Sequence, residues 1–228
     1  MATQLDLQEQ EQVDALKAFW KQYGNLITWT LTLALGAFAA WNGWNWYQRE
    51  QAVKASVMHD EIDKAAVAGD VDKAARVFAD LRERFPRTAY AQQSGLLVAR
   101  LQADKGKPDE ARASLAWVVD NAIEDEFKTV ARLRIAGLHL DAKKYEEALK
   151  ELDAAKAEGF EALVADRRGD VLQAQGKKAE AVTAYKSAWT AMPDTMEYRR
   201  VIEAKLTALG AAPIAPAAAA SAASGAAS

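Results

Sequence analysis

The chain has 228 residues, no cysteine, two histidines and a formal net charge of -3. Residues 49–210 hold 27 Lys and Arg against 28 Asp and Glu, with the two signs interspersed, so no basic surface for nucleic acid is expected. The scarcity of histidine and cysteine and the lack of a glycine-rich phosphate loop argue against an enzyme. About 160 residues are enough for one domain with a buried core.

The first feature in chain order is an uncharged run over residues 22–48, flanked by Lys21 and Arg49. Its centre is mostly apolar, and aromatic residues stand at both ends. About 20 helical residues cross a hydrocarbon core roughly 30 Å thick, and Trp and Tyr favour the headgroup region. The run therefore predicts a transmembrane helix over residues 22–48, preceded by a short N-terminal tail over residues 1–21.

Two alternatives to a membrane span are left open, a cleaved secretory signal and a buried helix of a water-soluble domain. Residues 37–39, Ala-Phe-Ala, satisfy the small-x-small cleavage pattern after an apolar stretch. A signal peptide, however, begins with a short and positive segment, whereas the 21 residues before this run contain four acidic and two basic residues. An uncleaved span is therefore the favoured interpretation.

The charges beside the run do not fix its orientation. The positive-inside rule counts Lys and Arg on each side, and here Lys17 and Lys21 face Arg49 and Lys54. A cytosolic N-terminus with an exported C-terminal domain is permitted, because long domains translocate largely regardless of their charge.

Residues 49–210 carry a helical pattern that repeats four times. Each repeat has a turn, an alanine five residues after the turn begins and a bulky residue four positions after that alanine. Alanine lets two helices approach closely, and the bulky residue lies one helical turn further on the same face. The alanines are 37, 37 and 33 residues apart. The pairs are Ala74 with Phe78, Ala111 with Leu115, Ala148 with Leu152, and Ala181 with Tyr185.

Turn residues mark the end of the first helix in each repeat. Gly69, Gly106 and Gly176 stand there in three repeats, because glycine adopts the left-handed conformation that closes a helix. Lys143 replaces glycine in the third repeat. The pattern predicts helix pairs over 50–68 with 70–85, 88–104 with 107–120, 126–141 with 144–157, and 161–175 with 177–191, and a ninth, capping helix over 195–209.

The repeat length and the small residues at crossing positions resemble the tetratricopeptide repeat, a helix-turn-helix unit of about 34 residues. The resemblance implies an all-α fold in which the transmembrane helix is followed, over residues 49–210, by a tetratricopeptide-like α-solenoid. This solenoid has about four helix pairs plus a capping helix, and the first helix of each pair lines its concave surface. Residues 211–228, rich in Ala, Pro and Ser, predict a disordered tail.

The two histidines each have a structural explanation. His59 stands beside Asp60, Glu61 and Asp63, which are interpreted as a solvated helical face rather than a metal site. His139 occupies a position that lines the groove in this class of repeat, where groove polarity or packing is favoured over catalysis. No catalytic, cofactor-binding or metal-binding residue is therefore predicted.

Clusters of like charge also have structural explanations. Carboxylates at 109–110, 124–126 and 146–147 fall at predicted helix starts, where free N–H groups and the helix dipole favour negative charge. A basic cluster flanks the turn of the fourth repeat and is interpreted as a solvent-exposed face, the alternative being an electrostatic rim for an acidic partner. Its members are Arg167, Arg168, Lys177 and Lys178.

The whole arrangement, an acidic tail, an aromatic-rich run and degenerate repeats, resembles the YfgM-type family of ancillary SecYEG translocon subunits. The resemblance covers residues 5–209. It is carried also by residues 14–25, Asp-Ala-Leu-Lys-Ala-Phe-Trp-Lys-Gln-Tyr-Gly-Asn, and by residues 168–172, Arg-Gly-Asp-Val-Leu.

This resemblance implies a non-enzymatic adaptor at the bacterial inner membrane, with a cytosolic N-terminus and periplasmic repeats. Its implied partners are the translocon, a membrane-anchored periplasmic chaperone of the PpiD type and exported client polypeptides, whose handover or folding it would assist. No cofactor is implied. The alternative function is an envelope scaffold or stress-signalling regulator that binds a signalling protein through the repeats.

Overall fold

The computed structural model describes residues 7–213, with side chains described from residue 10 onward. The predicted tails over 1–21 and 211–228 therefore lie partly outside the described residues. Every regular element of the described range is an α-helix. The helices are α1 Leu7–Val67, α2 Val71–Arg84, α3 Ala89–Asp104, α4 Pro108–Asn121, α5 Asp125–Asp141, α6 Tyr145–Asp153, α7 Glu161–Ala174, α8 Lys178–Ala191 and α9 Arg199–Ala208.

Two compact units divide the chain, with the boundary between Val53 and Lys54. In the described residues, the N-terminal unit is the first part of α1, and most of its large apolar side chains are exposed. Helix α1 continues through the boundary, so its last turns belong to the second unit together with α2–α9.

The run over residues 22–48 is helical, as part of α1, but the prediction that it crosses a membrane is wrong. Between residues 7 and 213, no helix combines the length and the apolar character that a membrane crossing requires. The run interleaves its apolar residues with polar ones, which lower its mean hydropathy. Among these, Thr28, Thr30 and Thr32 donate hydrogen bonds to backbone carbonyls four residues earlier.

The second unit is a stack of helix pairs. The last turns of α1 pack with α2, and α3 packs with α4, α5 with α6 and α7 with α8, while α9 covers α8. The four alanines of the repeat pattern are fully buried, and the bulky residues that follow them are at most 2% exposed. Neighbouring pairs share apolar contacts, such as the edge-on packing of Phe78 in α2 against Trp117 in α4. The all-α repeat architecture is thus confirmed.

Two predicted helix boundaries are wrong by four residues. Helix α6 ends at Asp153 rather than at 157, because the N–H of Ala157 donates to Thr129 Oγ1 of α5 at 3.1 Å instead of continuing the helix. Helix α9 begins at Arg199 rather than at 195. Arg199 pairs with Asp194 and lies 3.9 Å above the ring of Trp189, which holds the preceding residues in a turn.

The four turns between paired helices close in the same way. In each, a backbone N–H donates at 2.8–2.9 Å to the carbonyl five residues earlier. The residue before this donor has a positive φ, of 70°, 73° and 80° at the three turn glycines and 58° at Lys143. A side chain in this left-handed conformation costs about 1–2 kcal/mol. The third turn is therefore the strained one.

We expect Lys143→Gly to stabilise the second unit. Relief of the left-handed strain exceeds the entropic cost of glycine, so the free energy of unfolding should rise by about 1 kcal/mol and the melting temperature by about 2–4 °C. Urea and thermal denaturation measure both quantities. Lys144→Gly is the matched control: its φ is -89°, so it should be destabilising. Equal effects of the two substitutions would contradict the assignment of strain.

Candidate functional site

The first helices of successive pairs, α3, α5 and α7, lie next to one another. A cavity of about 450 Å³ opens between them and α4, and we refer to it as the groove. Its apolar lining includes Ala99, Ala103, Leu115 and Leu138. The volume lies within the range of about 300–1,000 Å³ that is typical of ligand-binding clefts. The repeats thus present a concave, partly apolar surface.

Three arginines line the groove, one from each of three successive first helices: Arg100 of α3, Arg134 of α5 and Arg167 of α7. Two of them make long ion pairs within their own helices. Arg100 Nε lies 3.7 Å from Asp104, and Arg167 Nη1 lies 3.5 Å from Asp170. Sequence analysis missed this set. The signal that could have found it is the spacing of 34 and 33 residues between the three arginines, which equals one repeat.

Arg134 differs from the other two arginines in its partners. Its Nη1 donates to the backbone carbonyl of Leu96 at 2.7 Å, and no carboxylate of the described residues lies within 4.0 Å of its guanidinium. Burial lowers the pKa of Arg134, and the neighbouring charge of Arg100 lowers it further. A guanidinium has five N–H donors, so Arg134 retains donors for an anionic partner.

Gly137 lines the groove one helical turn after Arg134. A β-carbon built on Gly137 would meet no atom within 4 Å. The other two glycines within helices of this unit are required for packing, because a β-carbon would lie 2.5 Å from Val118 at Gly95 and 2.4 Å from Tyr185 at Gly169. A glycine within a helix costs about 1 kcal/mol relative to alanine. Packing within the chain gives no reason for this cost at Gly137.

Neither histidine lies in the lining of the groove. His59 Nδ1 lies 2.8 Å from Ser94 Oγ, and its ring packs against Tyr90 with centroids 5.7 Å apart, so it links α1 to α3. His139 lies in α5 but outside the lining of the groove. Burial lowers the pKa of His139, and the positive charge of Arg112 lowers it further.

The carboxylate clusters lie where the sequence predicted them. Those at 109–110, 125–126 and 146–147 occupy the first turns of α4, α5 and α6, where the helix dipole favours negative charge. In the part of the chain that the structure describes, no three His, Asp or Glu side chains are close enough together to hold a metal ion.

The basic cluster of the fourth repeat does not form one surface. Arg167 lines the groove, whereas Arg168 pairs with Asp153 of the preceding pair. Lys177 and Lys178 lie exposed at the start of α8. Only Arg167 of the four is therefore placed to act on a ligand of the groove.

A buried polar network joins the last three helices. Lys205 Nζ of α9 donates to Asp166 at 2.8 Å and to Asp170 at 2.7 Å, both on α7. The hydroxyls of Tyr198 and Tyr185 donate to the same two carboxylates at 2.8 Å. Asp166 is only 3% exposed, so its charge depends on these donors. The network fixes α9 as the end of the stack. Through the ion pair of Asp170 with Arg167 it also contacts the lining of the groove.

Known proteins match nearly the whole chain. The family model described as a tetratricopeptide repeat-like domain matches residues 17–211. The "Ancillary SecYEG translocon subunit" of Neisseria gonorrhoeae is 30% identical over 207 residues, which cover 89% of this chain and 98% of that protein. The chain belongs to this family. A member of the same name from Escherichia coli is 32% identical over 185 residues, which cover 80% and 86% of the two chains. The family resemblance seen in the sequence is confirmed.

We expect Lys205→Met to destabilise this family member by about 2 kcal/mol. Removing one partner of a buried ion pair costs about 3–5 kcal/mol of stability. We expect a smaller loss here because the Lys205 side chain is 24% exposed. Urea denaturation measures the change. The control is Lys186→Met on the exposed face of α8, where the expected change is below about 0.5 kcal/mol. A loss no larger than in the control would contradict a structural role for the network.

The same network predicts loss of stability at alkaline pH. Burial and the hydrogen bonds to Asp170 and Asp166 raise the pKa of Tyr185 and of Tyr198 above the ordinary value of 10.0. Burial alone would lower the pKa of Lys205, but its hydrogen bonds to both carboxylates raise it above 10.5. These three groups contribute fully to the free energy of unfolding at any pH below their ordinary pKa values. That contribution is lost as the pH rises through the raised pKa values of the folded state. The midpoint of urea denaturation should decrease as the pH is raised above about 10. The decrease should be less steep for Lys205→Met than for the unmodified protein. Parallel curves of midpoint against pH for the two proteins would contradict this prediction.

Proposed function

We propose that this protein is a non-enzymatic adaptor that associates with the SecYEG translocon. The observation that carries the proposal is that relatives named for this association align with 80–89% of the chain, N-terminal unit and repeats together. The groove supports the adaptor part of the proposal, because a concave repeat surface is suited to holding a partner.

The N-terminal part of α1 offers a surface for the translocon. Large apolar side chains are exposed along it, among them Trp29, Leu33 and Phe38, each more than 60% exposed. Extended apolar surfaces of this kind mark interaction sites. We propose that these residues contact translocon subunits.

A finer proposal concerns what the adaptor does there. We propose that the repeats lie on the periplasmic side of the inner membrane, and that the groove helps to pass exported polypeptides to a membrane-anchored chaperone of the PpiD type. The support is that a translocon delivers unfolded chains and that the groove is an open, partly apolar surface.

Site-specific photocrosslinking tests the association. A photoreactive amino acid at Trp29, Leu33 or Phe38 should crosslink this protein to translocon subunits in intact membranes, and mass spectrometry identifies the crosslinked partners. The matched control carries the same amino acid at Asp120, an exposed residue of α4. If no translocon subunit is enriched over the control at any of the three positions, the proposed association is wrong.

Protease accessibility tests the proposed side of the membrane. Protease added to spheroplasts should degrade residues 54–210 while leaving a cytosolic marker intact, and immunoblotting follows both. Protection of the repeats until the spheroplasts are lysed would place them in the cytosol. That result would exclude a role in export and favour a cytosolic regulatory partner.

A further inference from the structure

The positive charge of the groove is only partly matched by carboxylates of its own lining. Arg100, Arg134 and Arg167 line it from three successive first helices. Asp104 and Asp141 also line it, but neither is within 4.0 Å of the Arg134 guanidinium. Arg134 therefore lies between two other arginines with a backbone carbonyl of Leu96 as its partner.

An anion bound at Arg134 would supply the carboxylate partner that this arginine lacks among the described residues. A carboxylate that accepts two parallel N–H bonds from a guanidinium makes one of the stronger hydrogen-bonded pairs in proteins. It would also offset the repulsion between Arg134 and Arg100, which contributes to the lowered pKa of Arg134. Charge complementarity thus favours an acidic group at this point of the groove.

Gly137 provides independent support for a ligand beside Arg134. The space where its side chain would lie is open, and it adjoins the apolar lining formed by Ala103 and Leu138. Glycine recurs where another backbone approaches a helix closely. The bare backbone at Gly137 therefore leaves room for a main chain next to the arginine.

We propose that the groove binds an extended polypeptide segment in which an acidic residue is flanked by apolar ones. The acidic carboxylate pairs with Arg134, the main chain passes over Gly137, and the apolar side chains contact the lining of the groove. Arg100 and Arg167, each in a long ion pair with an aspartate of its own helix, lie in the same lining. This inference rests on the proposed adaptor function and states the chemistry of the segment that the adaptor recognises.

Fluorescence anisotropy with the purified full chain tests this proposal. The probe is a fluorescein-labelled nonapeptide with alternating leucine and glutamate, and the comparison peptide has glutamine in place of every glutamate. The glutamate peptide should bind at least about tenfold more tightly, because a hydrogen bond to a charged group contributes about that factor or more. Equal affinity of the two peptides would overturn the proposal.

Two variants locate the binding site. Arg134→Gln should weaken binding of the glutamate peptide at least about tenfold and leave the glutamine peptide unaffected. Arg76→Gln, which makes the same charge change on the exposed face of α2, is the matched control and should bind as the unmodified protein does. Equal losses in the two variants would overturn the assignment to Arg134.

Gly137→Leu separates binding from folding. The added side chain has open space at its base, so the melting temperature should not fall, while the peptide should no longer bind. Retained peptide binding by a folded Gly137→Leu protein would overturn the proposal. Self-association that depends on Arg134, with no peptide binding, would also overturn it in favour of a second copy as occupant. Because this assay uses no translocon, its failure leaves the crosslinking result standing.

Discussion

Close approach of neighbouring helices is the constraint on which the stack depends. At the crossing points of the repeats the buried residue is alanine, and at Gly169 even a methyl group would overlap the ring of Tyr185. Such spacing lets the two helices of a pair pack closely, and each pair completes the core of its neighbour. The first helices α3, α5 and α7, each packed in this way, lie next to one another and line the groove.

The two ends of the repeat stack are closed by different means. At the N-terminal end, α1 contributes Ala55, Ile62 and Ala65 to an apolar core with α2 and α3. At the C-terminal end, α9 combines the buried Ile202 and Leu206 with a charged lysine between them in sequence. Apolar contact alone tolerates sliding and rotation, whereas a rotated α9 would leave Asp166 buried without its cation. The polar network therefore specifies the orientation of the last helix more than it adds to stability.

The sequence predicted the repeats well because their determinants are local. An alanine, a bulky residue one turn later and a turn residue recur at intervals of one repeat, and each acts within its own helix pair. The end of α6 could not be predicted this way, since it depends on a contact between Thr129 of α5 and Ala157 in the segment that follows α6.

Two other errors came from how charge was interpreted. Residues 22–48 were predicted to span a membrane because they carry no charge, have an apolar centre and have aromatic residues at both ends. Threonines and asparagines, however, also lower hydropathy without being charged. The groove arginines were missed because charge was sought in local clusters, in which Arg167 was grouped with Arg168. Comparison at the repeat period would have grouped Arg167 with Arg134 and Arg100.

The left-handed backbone conformation of Lys143, between α5 and α6, affects the cooperativity of unfolding. In a stack whose stability is a sum of neighbour contributions, the weakest unit sets where partial opening begins. The third pair has the strained turn and the shortest of the described helices, α6 with nine residues. Partial opening of the repeat stack therefore begins in this pair. Since α5 belongs to this pair and carries Arg134, the groove is lined in part by the pair that opens first.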